Sequence, residues 1–173
     1  MGKYFGTDGI RGIAFEKLDS KLAFRVGQAI GYVLKPSVVV IGMDTRQSSP
    51  MLSYGIANGL LTLGVDVLFA GVVSTPMVAH YSKTKDIIGV MVTASNNPFM
   101  DNGIKVFNKG YKTTEEVEAL LEDFIDNGKL EVTGLGTLKF TDDVKNEYLK
   151  IYDSLDLKPL DLKIGFDAAN GAN

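Results

Sequence analysis

The sequence predicts an α/β protein, a three-layer αβα sandwich around a mixed, mainly parallel sheet. Three observations lead there. Short apolar runs rich in β-branched residues alternate with segments of helical spacing. The apolar runs lack strict polar alternation, as strands covered on both faces do. An Asn102-Gly103 pair precedes one such run and reads as a turn. That turn would fold its strand antiparallel onto the one before, which makes the sheet mixed.

The elements follow in order. Residues 19–34 place Leu22, Val26, Ala29, Ile30 and Val33 on one helical face, with Asp19 or Ser20 as N-cap. SVVVIGMD (37–44) is a buried strand. Pro50 opens a helix to about Leu63, which Gly64 stops. VDVLFAG (65–71) is a second strand, and Pro76 to Lys83 a short helix. DIIGVMVTA (86–94) and GIKVFN (103–108) are the third and fourth strands. Thr113 or Thr114, with Glu116, starts a helix that Gly128 closes. LEVTGLGTLKF (130–140) is broken by glycines and reads as a loop, and 142–155 as a last helix. DLKIGFDAANGAN (161–173) looks like a fresh strand running into a glycine turn. It either opens a second α/β unit or completes the first sheet.

Composition narrows the function classes. The chain has 173 residues, 45% hydrophobic and 23% charged, enough for a sizeable core. No cysteine is present, so disulfides and thiolate metal sites are excluded, and a cytoplasmic location is compatible with that. A net charge of −3 with both signs interspersed argues against nucleic acid and anionic membrane as partners. No apolar run approaches the ~20 residues of a membrane span. The opening MGKYFGTDGIRG is too polar for a signal peptide and lacks the Ser/Thr of a myristoylation site. No G-x-G-x-x-G follows a strand, so dinucleotide binding is unsupported.

Ligands of open α/β sheets gather at the carboxyl ends of strands. Four polar clusters follow or flank strands here: GTDGIRG (6–12), MDTRQSS (43–49), VSTP (73–76) and TASNNP (93–98). Ser95 lies in the last. Hydrolytic use would need a base, yet the single histidine, His80, sits on a helix and reads as structural, and no G-x-S-x-G surrounds the serine. Ser95 could instead carry a phosphoryl group, with Arg11, Arg46 and Lys105 as the cations for its charge of about −2. Equally, Ser95, Asn96 and Asn97 could serve only as turn hydrogen-bond formers. Lys105 would reach a phosphate if its strand returns past Ser95, or it guards a sheet edge. Arg11, between glycines, would fork onto phosphate oxygens or remain solvated. Asp44 and Arg46 would touch substrate or pair with each other to organise their loop.

FGTDGIRG, GMDTRQSS and TASNNPFMDNGIK, in this order, with FDAANGAN at the end, resemble the α-D-phosphohexomutase family across essentially the whole chain. The resemblance implies a protein of four domains around a cleft. Residues 1–155 would be domain I, and 156–173 a linker and the first strand of an incomplete domain II. Ser95 matches the phosphoryl-carrying serine, Lys105 and Arg11 match residues near the transferred phosphate, and Asp44 and Arg46 match a supporting loop. Asn96, Asn97 and Asn102 fall in the same active-site segment. The implied reaction moves phosphate between O6 and O1 of a hexose, glucosamine phosphate being the favoured sugar, through a hexose bisphosphate. Phosphomannomutase or phosphoglucomutase activity is the alternative within the family, and a non-catalytic module the alternative outside it. The resemblance also implies one Mg²⁺ held by the Ser95 phosphate and the aspartates of a D-x-D-x-D-R loop. That loop is not found in this sequence, so the 173 residues alone are expected not to turn over substrate. Domain faces left exposed would favour homo-oligomers. One departure stands out: the family reads S-H-N-P, and Asn96 replaces that histidine. An asparagine cannot carry charge or exchange a proton near neutral pH.

Overall fold

The computed structural model describes residues 2–130, 132, 134–153, 155–156, 158 and 161–172. Glu131, Thr133, Ser154 and Asn173, which belong to segments assigned above, lie outside them.

The elements run β1 (Phe5–Gly6), β2 (Gly9–Ile13), α1 (Ser20–Leu34), β3 (Val38–Met43), α2 (Ser49–Leu61), β4 (Asp66–Val72), α3 (Thr75–Lys85), β5 (Ile88–Val92), β6 (Asp101–Asn108), β7 (Tyr111–Lys112), α4 (Glu115–Asn127), β8 (Leu138–Phe140) and α5 (Asp143–Asp153). The sheet order is β1-β2-β6-β5-β3-β4-β8, with β7 on β6. Strands β5, β3, β4 and β8 pair in parallel. Strands β1, β2, β6 and β7 add an antiparallel half. The sheet is therefore mixed, as the sequence predicts.

Local chemistry places these elements. Asp19 caps α1 by accepting the Leu22 N–H, and Thr114 caps α4 by accepting that of Val117. Pro50 sits in the first turn of α2, where its missing N–H costs nothing. Alternation along β3 splits the core into two layers. Val39 and Ile41 face α1, α2 and α4 in one apolar cluster with Val26, Ile56, Leu60 and Leu121. Val40 faces the other side with Val78, Tyr81, Met91 and Val144, under α3 and α5. Helices on both faces complete the three layers.

Four readings are corrected. FGTDGIRG, read above as a polar cluster flanking a strand, itself forms the hairpin β1–β2, whose second strand pairs with β6. Phe5 and Ile10 are buried there, and Gly9 has φ +89°, where a Cβ would lie within contact of the Ile104 carbonyl. Asn102-Gly103 is not a turn. Both residues lie inside β6, and the reversal between β5 and β6 is made by residues 93–100. Antiparallel pairing of β5 and β6 nonetheless holds. LEVTGLGTLKF ends in a strand, β8, which docks on β4. The terminal stretch 161–172 forms no strand and is largely exposed. In this chain it adds nothing to the first sheet, so the alternative that it completes that sheet falls.

Candidate active site

The strand order reverses direction at β3: β4 lies on one side of it and β5, next in the chain, on the other. The loops leaving β3 and β5 therefore open a crevice at their carboxyl ends. A cavity of about 1140 Å³ lies there. Its walls are the loop after β3 (Asp44, Thr45, Arg46, Gln47), the start of α3 (Ser74, Thr75, Pro76) and the loop after β5 (Thr93, Ser95, Asn96, Asn97, Phe99). Lys105 of β6 and residues 169–172 close it.

Ser95 is exposed at this cavity with φ +57°, the left-handed region that a non-glycine residue adopts at a cost of about 1–3 kcal/mol. Its backbone is held from both ends. The Ser95 N–H donates to Thr93 Oγ1 at 3.0 Å, and its carbonyl accepts from Arg46 Nη2 at 3.0 Å. Thr93 Oγ1 in turn donates to Asp44 Oδ2 at 2.7 Å, the oxygen that Arg46 Nε also contacts at 3.0 Å.

Arg46 is fully committed. Nη1 donates to the carbonyls of Pro98 (2.6 Å) and Asp101 (2.9 Å), and Nη2 to those of Ser95 and Asn97 (2.9 Å). With Nε on Asp44, all five guanidinium donors are engaged. The arginine thus pins the loop 95–101 from below, leaving no N–H for a phosphate. Of the two alternatives for the Asp44–Arg46 pair, the geometry favours loop organisation.

Asn102 knits the site to the scaffold. It is fully buried, and its Nδ2 donates to Ser48 Oγ (2.8 Å) and Ser49 Oγ (2.9 Å) at the start of α2. Ser49 Oγ donates to Asp44 Oδ1 at 2.6 Å. One polar chain therefore joins β6, α2, β3 and the loop after β5. Asn97 braces its own turn through Asp101 Oδ2 at 2.9 Å, while Asn96 is exposed at the cavity.

Lys105 stands opposite Met91 in the β5–β6 register and lines the cavity with Ser95. Among the described residues no carboxylate lies within ion-pair distance of it. Arg11 is elsewhere. It pairs with Asp8 at 3.1 Å and lines a separate hollow with Tyr4, Thr7 and Gly9. Its Nε is buried without a hydrogen-bond partner among the described residues. The structure thus brings Ser95, Asn96, Asn97, Asp44, Arg46 and Lys105 together at one cavity and leaves Arg11 and Asn102 off its wall. His80 packs edge-on against Tyr148, a structural setting. Sequence reasoning named the cluster 93–98 without singling out Thr93. The available signal was a polar β-branched residue at the end of a buried strand.

Among the described residues, no group of three or more His, Asp or Glu side chains could hold a metal ion, and no helix is long and apolar enough to cross a membrane.

Comparison with known proteins gives a consistent result. Residues 2–131 match the family described as phosphoglucomutase/phosphomannomutase, alpha/beta/alpha domain I. The phosphoglucosamine mutase of Fusobacterium nucleatum is 42% identical over 99% of this chain, and that of Thermotoga sp. 42% over 98%. The chain spans 42% and 40% of those relatives' own lengths. A phosphoglucomutase/phosphomannomutase family protein from Burkholderia thailandensis superposes with a TM-score of 0.75 at 28% identity, over 90% of this chain and 36% of that one. A Thermus thermophilus structure shares the fold at TM-score 0.77 and 24% identity, over 87% of this chain and 35% of its own.

Proposed function

The chain belongs to the phosphoglucomutase/phosphomannomutase family, of which it carries the α/β/α domain I, and from that premise we propose that it is the phosphoserine-bearing part of a phosphoglucosamine mutase. The observation that carries the proposal is the pairing of an exposed, left-handed Ser95 with a cation, Lys105, that has no carboxylate partner among the described residues at the same cavity.

Phosphoryl transfer asks a protein mainly for positioning and charge neutralisation. In the proposed cycle the bond between Ser95 Oγ and phosphorus breaks as a sugar hydroxyl forms its own bond to that phosphorus. The hydroxyl proton leaves and Ser95 Oγ takes one up. The resulting hexosamine bisphosphate turns over in the cleft and returns its other phosphoryl group to Ser95. No proton is gained or lost over the cycle. Lys105 faces the cavity as a fixed positive charge for the transferred group, and Arg46 sets the loop rather than the phosphate. Arg11 would join the substrate only if it swings from Asp8 toward the cavity.

The described residues do not form a metal centre by themselves. A Mg²⁺ bound to phosphorylated Ser95 would draw its remaining ligands from outside these residues, so no step is assigned to it. A cytoplasmic location and packing of the exposed Phe15, Phe99 and Met100 against further protein surface, in cis or in an oligomer, belong to the same reading.

The test is isomerisation of glucosamine 6-phosphate by the full-length protein and its Ser95→Ala variant. The variant is expected to lose activity by more than about 10³-fold, since no other group carries the phosphoryl. A Ser95→Ala protein with undiminished turnover would refute the proposal.

A further inference from the structure

We infer that Thr93 is a positioning residue for phosphoryl transfer, its hydroxyl holding Ser95 in the left-handed conformation that presents the serine to the cavity. The inference rests on the phosphoserine reading above and deepens it.

Four hydrogen bonds form a closed ring around the Ser95 peptide units. Ser95 N–H donates to Thr93 Oγ1, Thr93 Oγ1 to Asp44 Oδ2, Arg46 Nε to the same Oδ2, and Arg46 Nη2 to the Ser95 carbonyl. The direction of the ring is fixed. An ionised carboxylate only accepts, so the single Thr93 proton goes to Asp44. Both lone pairs of the oxygen remain to accept, and one of them takes the Ser95 N–H. Thr93 is 5% exposed, so no water competes for that lone pair from bulk solvent. Asp44 is held in turn by Ser49 Oγ and the Arg46 N–H on its other oxygen. The ring thus rests on α2 and on the β3–β5 junction, both parts of the core.

Without the Thr93 hydroxyl, Ser95 loses the only side-chain partner of its N–H among the described residues, while its carbonyl stays on Arg46. The serine would then leave the left-handed region, which it enters only under constraint. Its oxygen would move relative to Lys105. A displacement of about 1 Å in a reacting group can cost on the order of 10²-fold in rate.

The experiment measures uptake of phosphate by the dephosphorylated full-length protein from a hexose 1,6-bisphosphate, read by intact mass over time. In that half-reaction the sugar C–O–P linkage breaks at phosphorus, Ser95 Oγ bonds to it, and the serine proton passes to the departing sugar hydroxyl. Thr93→Ala and Thr93→Ser both lack the methyl group and differ only in the hydroxyl. Thr93→Ser is expected to take up phosphate within about threefold of the native rate, and Thr93→Ala about 10–100-fold more slowly at similar melting temperature. Equal rates in the two variants, fast or slow, would overturn the positioning role, since the hydroxyl would then not matter. Failure of the native, folded protein to take phosphate at Ser95 would instead overturn the phosphoserine reading on which the inference stands.

Discussion

At Ser95 two demands conflict: the serine must be exposed to a ligand and yet hold a backbone geometry it would not choose. The ring of Thr93, Asp44 and Arg46 resolves this with charge-assisted and neutral hydrogen bonds anchored in the core. Arginine suits its place because one planar group must meet a carboxylate and four carbonyls at once. Lysine offers a single ammonium and cannot span them. Arg46→Lys is therefore expected to lower turnover on the order of 10²-fold with substrate affinity little changed, as steady-state kinetics of the full-length protein would show. Part of this arrangement was legible beforehand. The small polar cluster after an apolar run drew attention to Ser95, and a strand returning past it was one of two readings of Lys105, which lines the same cavity. Loop organisation was one of two readings of Arg46, but the segment it holds was not legible, because four of its five contacts lie on residues 95–101, some fifty residues downstream. Nor was the separation of Arg11, since the sequence does not say that GIRGI would form β2, between β1 and β6, with its arginine turned to Asp8.

The strands carry the site by their close approach to one another. β6 is the clearest case. Taken alone, Asn-Gly is the strongest short-range hairpin signal, yet here tertiary structure overrides it. Asn102 is consumed by the two serines that start α2, and Gly103 sits between the ends of β2 and β5. A Cβ at Gly103 would lie 2.8 Å from the carbonyl oxygens of both Ile10 and Thr93. Gly103→Ala is expected to destabilise the protein by about 1–3 kcal/mol and to displace the strand end that bears Thr93. Urea denaturation would report the first effect and the rate of Ser95 phosphorylation the second. The helices and the parallel strands β3, β4 and β5, by contrast, were legible to within a residue or two at each end. Their signals are local: the Asp19 and Thr114 caps, Pro50 in a first turn, and β-branched runs too short for helices. β8 escaped notice because three residues beyond a glycine-rich stretch carry no periodicity of their own.

Across the whole molecule, the N-terminal segment that leads into the β1–β2 hairpin is tied down by α4. Glu122 accepts the backbone N–H groups of Lys3 (2.9 Å), Tyr4 (2.6 Å) and Phe5 (2.6 Å). Burial pushes this carboxyl up, but the three N–H donors outweigh it and hold it below its ordinary 4.5. Asp126 is held down by hydrogen bonds from Lys3 and Tyr4. A carboxyl with a depressed folded pKa stabilises fully above its unfolded value and loses that contribution as pH falls through the folded one. Stability is thus expected to decline as pH drops below about 4.5, and Glu122→Gln to flatten that decline between about pH 6 and pH 3. Urea midpoints across that range would check it. Both groups are largely solvated, so the effect is modest and screened by salt. The hairpin matters to the site because β2 packs on β6, the strand of Lys105. At the carboxyl end of the described chain, Thr45 Oγ1 donates to the Asn170 carbonyl, so residues 169–172 lie over the same cavity.

The central claim, that Ser95 is the phosphoryl carrier, is tested most directly by mapping phosphate on the full-length protein isolated from its own cells. Tandem mass spectrometry of the peptide spanning residues 86–105 is predicted to place phosphate on Ser95, discharged by incubation with glucosamine phosphate. A protein active on that sugar with no phosphate at Ser95 before or during turnover would contradict the account.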